Sequence, residues 1–353
     1  MFKKFNKKLS TLILIIISAF SVSAHEAYVV ETAKFWNYLS QPTSWHAFDA
    51  LKNPHDLHIT IAIVSSVLIV FLANFFFRLT KKGQKIHNYL EKLYFLGPLF
   101  VRAAISASFF FSALSWSFLG PELTLHQMIW PSILRAGLFT ASILIALGLF
   151  TELAALIGLV IFSIGLATFG LYVTTYFNYL GEIIVLLLFG MRKWSVDKYL
   201  FGPLKHFKNW REYETTIVRI FYGVALIYAA ITVKFLHPAL TVYVVEKWHL
   251  TQFHWLFPSD PLLVTMGAGI AEFAIGFFIM VGFEMRFTVL VSLFYITLSL
   301  IYFHELVWPH LMLYGISLNL IVQPEVFTLD HLLFRKHRKR WWLRPFKAHG
   351  SKE

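Results

Sequence analysis

The sequence predicts an all-α fold: a polytopic transmembrane helical bundle of about nine helices left after signal cleavage, judged by the ~20 residues that cross a typical bilayer. Three observations carry this. Of 353 residues, 58% are hydrophobic and 14% are charged, against a charged share of ~25% in soluble domains. Apolar runs of near-spanning length recur along the chain. Lysine and arginine gather in alternate connections between those runs.

Residues 1–24 read as a secretory signal. MFKKFNKKLS is basic, TLILIIISAF is apolar, and Ser21-Val22-Ser23-Ala24 offers small residues for cleavage after Ala24. An external segment, 25–57, follows. The leading helix occupies 58–80, and apolar runs then stand near 98–119, 132–150, 153–175 and 178–191. A cytoplasmic linker covers 194–215. Further runs stand near 216–236, 262–282, 287–304 and 308–323, and a basic tail occupies 326–353.

Charge gives the orientation. One connection holds Arg78, Lys81, Lys82, Lys85 and Lys92, a later one runs from Arg192 to Arg211, and the tail contains RKHRKR. Pro121 to Pro131 has no Lys or Arg. Positive residues mark the cytoplasmic side. The mature amino terminus is therefore expected on the periplasmic face of a bacterial inner membrane, and the carboxyl terminus in the cytoplasm. The net charge of +12 follows from this bias, and the basic tail can touch anionic lipid heads. Nucleic-acid binding is disfavoured, since no separate basic domain exists. With no cysteine, disulfides, thiolate metal sites and thiol redox chemistry are excluded.

The chain repeats itself. VRAAISASFFFSALSWSFLGPEL (101–123) and VRIFYGVALIYAAITVKFLHPAL (218–240) both open Val-Arg and close Phe-Leu-x-Pro-x-Leu, at an offset of 219 − 102 = 117. In each copy a glycine precedes a tight turn, Gly148 to Glu152 and Gly282 to Arg286. The expected organisation is two four-helix units, 95–193 and 216–325. An even number of spans makes them parallel, related by an axis along the membrane normal.

RIFYGVALIYAAITVKFLHPAL, GAGIAEFAIGFFIMVGFEMR, VWPHLMLYGISL and YLGEIIVLLLFGMRKWSVD together resemble the DoxX-like (DoxX/DoxD-type) integral membrane proteins, over roughly 95–325 as two copies. The resemblance implies a membrane subunit of a quinone-linked oxidoreductase assembly, working with a soluble oxidoreductase partner. The signal, the extra first helix and the doubling depart from the simple family pattern.

Ionisable residues inside lipid are costly and mark candidate sites. Glu272 lies about ten residues into its run, near mid-depth at 1.5 Å per residue. Left unpaired there it would be protonated, a group suited to proton exchange or to bonding a quinone carbonyl. Arg135, Glu182, Lys234, Glu305 and His310 stand near outer helix ends and can be grouped in one outward-facing pocket. Arg102 and Arg219 match in the two copies, which suits a shared structural charge pair as well as snorkelling. His25, His55 and His58 offer an amine, imidazoles and an i, i+3 pair for copper. No Walker loop, no HExxH and no G-x-S-x-G occurs.

Three functions stay open. The first is a quinone- or lipid-binding membrane subunit of a respiratory assembly, itself non-catalytic. The second is a proton-coupled transporter or permease. The third is a periplasmic-face metal-handling or scaffold protein.

Overall fold

A computed structural model describes residues 26–190, 195–201, 213–252, 258–323 and 327–334. The signal and His25 lie outside the described residues, as do most of the linker and the arginine-rich tail.

The amino-terminal segment forms α1 (Glu26–Val29), α2 (Thr32–Leu39) and a 3-10 stretch, His46–Lys52. Then come α3 (Pro54–Leu79), α4 (Lys81–Lys92), α5 (Gly97–Leu114), α6 (Pro131–Leu147), α7 (Thr151–Phe169), α8 (Phe177–Phe189) and the short α9 (Val196–Phe201). The second half holds α10 (Glu214–Ala229), α11 (Pro238–Lys247), α12 (Pro261–Val281), α13 (Met285–Tyr302), α14 (Leu311–Val322) and α15 (Leu329–Phe334). Among the described residues the only strands are β1 (Ser117–Phe118) and β2 (Gly120–Thr124), a small antiparallel ribbon.

A helix stands on each of the nine apolar runs. Among the described residues, six helical segments are long and apolar enough to cross a membrane, by length and composition. Their starts are written locally. Pro54 follows an Asn53 cap that accepts from the His55 amide, and Pro261 follows an Asp260 cap that accepts from Leu262. Proline in the first turn forfeits no intrahelical bond there.

The structure departs from the sequence reading in four places. The run expected to 119 stops at Leu114, because Trp116 and Leu119 turn into positive φ and start the ribbon. Thr151–Phe169 is α-helical, and Gly170–Tyr176 tightens to 3-10. Two connections between the apolar runs contain helices for which no run was assigned, α4 and α11. The last turns of the 216–236 run, Ala230–Phe235, are π-helical.

Helices α5–α8 pack in sequence, α10 packs on α12, and α13 packs on both α12 and α14. The two sets also exchange neighbours: α5 lies on α14, and α10 lies on α8. The leading helix α3 is peripheral. Of its residues only Asp56 and Phe71 are buried.

One end of the bundle carries two matching corners. At the first, Gly148 (φ +65°) and Phe150 (φ +46°) turn the chain from α6 into α7. Asp197, buried just after α8, accepts from the amides of Phe150 (2.7 Å) and Thr151 (3.0 Å). At the second, Gly282 (φ +69°) and Glu284 (φ +42°) turn α12 into α13. Asp330 accepts from the amides of Glu284 (2.8 Å) and Met285 (3.1 Å). These are the orphan donors of a helix start, and a carboxylate suits the positive end of the helix dipole. Glycine is needed twice over at Gly282: its φ is left-handed, and a Cβ would sit 2.5 Å from Thr328. Segments 195–201 and 327–334, assigned by sequence to linker and tail, thus complete the corners.

Candidate functional site

The second half encloses a cavity of about 70 Å³ between α10, α12, α13 and α14. Leu226, Ala271, Ile275 and Leu313 give it apolar walls, and Glu272, Ser292, Ser299 and His310 supply polar atoms. Ser292 is also 3.1 Å from the Tyr222 hydroxyl.

His310 is 3% exposed and sits where the 3-10 turn Trp308–His310 enters α14. Its Nε2 lies 2.7 Å from Glu305 Oε2. The other Glu305 oxygen accepts from the Ser299 hydroxyl in a short bond. With the carboxylate accepting from Nε2–H, the lone pair of the neutral ring rests on Nδ1. His310 Nδ1 has no hydrogen-bond partner among the described residues. A buried ring nitrogen left bare is costly unless a ligand or water meets it.

Glu272 contributes from the facing side. From sequence, a neutral carboxyl is expected here, open to proton exchange or quinone bonding or bonded to a neighbouring helix. Instead its Oε2 is 2.7 Å from Lys234 Nζ. Lys234 is 1% exposed and is brought inward by the π-helical turn, a distortion frequent at functional sites. Lys234 also lies 3.2 Å from Glu26, which accepts from the Thr241 hydroxyl at 2.7 Å. A row therefore runs Glu26, Lys234, Glu272 from the amino-terminal segment to the cavity. A buried ammonium needs such partners.

The other expected pocket members are placed elsewhere. Arg135 donates from Nε to the Ala113 carbonyl at 2.9 Å and stacks on Trp116, with 4.1 Å to the ring centroid. Its position on α6 turns it onto the loop after α5. Glu182 is buried on α8 beside Gly181, whose face packs against Phe221 of α10. Of the grouped residues, the structure pairs Lys234 with Glu272 and Glu305 with His310, sets Glu272 and His310 on one cavity, and leaves Arg135 and Glu182 outside its lining.

The two matched arginines belong to the corners. Arg219 donates to the Phe327 carbonyl at 2.9 Å, and its guanidinium stands against Gly282, as that of Arg102 stands against Gly148. His55 and His58 are exposed on the first turns of α3, and His55 Nδ1 is 3.4 Å from Asp56. Among the described residues, no three His, Cys, Asp or Glu converge as a metal site.

A second buried cluster escaped the sequence reading. Glu122, in β2 and 0% exposed, accepts on Oε1 from Tyr172 (2.9 Å) and Tyr176 (2.5 Å). Tyr28 of α1 lies 3.1 Å from the Tyr176 hydroxyl and edge-on to His310, with ring centroids 5.2 Å apart. Burial pushes the Glu122 carboxyl up to about 6, against the pull of the tyrosine bonds. Two signals could have found this cluster. Tyr172, Tyr176 and Tyr179 fall at i, i+4 and i+7, and Glu122 stands in a loop otherwise free of charge. The corner aspartates also had a signal: Ser195-x-Asp197-x-x-Leu200-Phe201 matches Thr328-x-Asp330-x-x-Leu333-Phe334.

The chain matches no family model, no curated protein and no solved structure.

Proposed function

We propose that the chain is a DoxX-like protein of the bacterial inner membrane, and that its second unit binds the head group of a quinone. In this reading nine helices cross the membrane, the amino-terminal segment faces the periplasm, and two parallel four-helix units make the bundle. The matched corners and the exchange of α5 and α10 between the two sets support the two-unit organisation.

Comparison of the units supports specialisation. At an offset of 226 − 109 = 117, cavity residue Leu226 corresponds to Phe109. At 272 − 138 = 134, Glu272 corresponds to Leu138, Ile296 to Phe162, His310 to Tyr176 and Leu313 to Tyr179. Phe109, Leu138, Phe162 and Tyr179 are all 1–2% exposed, and Phe109 stacks on Tyr179. The first unit is filled where the second is hollow.

The observation that carries the proposal is the bare Nδ1 of His310, a residue that lines an apolar-walled cavity, with Glu305 bonded to the other ring nitrogen. A quinone supplies two-electron, two-proton chemistry when bound. His310 Nδ1 would accept a hydrogen bond from a hydroxyl of the reduced, quinol form, and the row ending in Glu272 would exchange protons with the periplasmic end. The electrons come from a partner, so the chain serves as a non-catalytic membrane subunit beside a soluble oxidoreductase. The cavity is under half the ~150 Å³ that takes benzene. A ring therefore enters only when flexible walls such as Leu226 and Leu313 turn aside.

The test is the quinone content of chain purified in mild detergent, followed by titration with a short-chain quinone. Wild type should carry quinone, and His310→Gln and Ala271→Leu should lose it. Wild-type quinone content in Ala271→Leu, which fills the cavity, refutes the site. The row Glu26–Lys234–Glu272 also favours a second reading, proton-coupled transport. Under that reading Glu272→Gln abolishes proton flux in liposomes while quinone binding is absent throughout.

A further inference from the structure

Helix α4, at the end of the bundle that carries the corners, has three distinct faces. The first is turned to protein. Gly83 lies against the backbone of Phe77 and Arg78, and the His87 carbonyl accepts from Arg286 Nη1 at 3.0 Å. Glu91 is the only acidic residue of the helix. It is held on that side, 3.3 Å from His87 and 3.6 Å from Arg286.

The second face carries Lys82, Ile86 and Tyr89, at helical spacing. Ile86 is 54% and Tyr89 63% exposed. In the chain, exposed Phe76 and Phe77 precede this helix on α3, and exposed Phe95 and Leu99 follow it. The third face carries Lys81, Lys85, Asn88 and Lys92, all exposed. No carboxylate of the helix opposes the four lysines.

A docked face, an apolar face and a basic face together describe a helix lying in the plane of a membrane surface. We infer that α4 binds anionic phospholipid head groups through Lys81, Lys82, Lys85 and Lys92, with Ile86 and Tyr89 set at the acyl boundary. The inference rests on the neighbouring helices α3 and α5 crossing the bilayer, and it is independent of the quinone site. An acidic soluble protein would match the lysines. It would not match the exposed apolar strip, and the helices that flank α4 in the chain, α3 and α5, also expose large apolar side chains.

The absence of cysteine allows the test to be made in the full chain, in nanodiscs containing phosphatidylglycerol. Spin labels at Tyr89→Cys and Asn88→Cys report immersion by their collisions with oxygen and with a water-soluble nickel complex. The label at 89 should favour oxygen and the label at 88 nickel. In native mass spectrometry, Lys→Gln at 81, 82, 85 and 92 should lower retention of phosphatidylglycerol over phosphatidylcholine by at least about fivefold, the effect of one lysine at an anionic surface. Two labels equally open to nickel overturn the inference, and so does unchanged lipid retention. If the quadruple variant fails to fold, the two label variants, which keep all four lysines, still decide the matter.

Discussion

Glu122→Gln should flatten the dependence of stability on pH between about 4.5 and 6. The Glu122 carboxyl lies on the ribbon, outside the spanning helices, and burial raises it from the ordinary 4.5 to about 6. In that window the folded chain holds a proton that the unfolded chain has released. Stability is therefore fully present below 4.5 and falls as pH rises through about 6. The total loss is about 2 kcal/mol, at 1.36 kcal/mol for each pH interval of one. Glutamine keeps an acceptor for Tyr172 and Tyr176 but carries no proton to lose. Thermal unfolding in neutral detergent, scanned from pH 4 to 7.5, should show the wild-type midpoint falling by a few degrees while the variant stays level. Tyr176→Phe removes a bond that favours the ionised form, so its decline should extend above pH 6. Parallel wild-type and Glu122→Gln curves would refute the reasoning, because no proton would then be held by this carboxyl on folding.

The other expectations concern the buried charges and the corners. Asp330→Ala strips two helix-start amides and the 2.7 Å partner of Arg78, and should cost about 3 kcal/mol or more, read as loss of unfolding midpoint or of purified yield. Glu272→Gln leaves Lys234 with Glu26 alone and should destabilise by up to about 3–5 kcal/mol; an unchanged midpoint would mean that the pair is not formed. Gly282→Ala should cost more than about 1 kcal/mol from its left-handed φ alone, and Gly170→Ala should cost at least as much despite open space around it, because its φ of +64° and ψ of −154° suit only glycine; both are read as a fall in unfolding midpoint.

Much of the helical layout was legible because apolar runs and helix-start prolines are local signals. What lay hidden depends on a few backbone angles. The π-helical turn at Ala230–Phe235 has no distinct signature in AITVKF, yet it takes Lys234 off the ordinary helical face and into contact with Glu272. That turn made an expected neutral acid into half of an ion pair. Glu305 and His310, five residues apart, were visible as helix-end charges, but the 3-10 turn at Trp308 decides that they face each other. Arg135 and Glu182 shared the right depth with the site residues but not the right face. Depth is read from position along a run. Azimuth depends on neighbours that belong to other helices.

The aspartate corners bear on how the chain is completed during synthesis. Each one is shut by a residue some 45–47 positions downstream of the amides it binds, beyond the final helix of its unit. While the ribosome is still making α8 or α14, the hairpin already in the membrane ends in a strained, unlatched bend. A product truncated before Asp197 or Asp330 would contain every apolar run of that unit and still lack its fastener. Such nascent forms would be the natural targets of membrane quality-control proteases, and a clipped carboxyl terminus would therefore do more harm than its short length suggests.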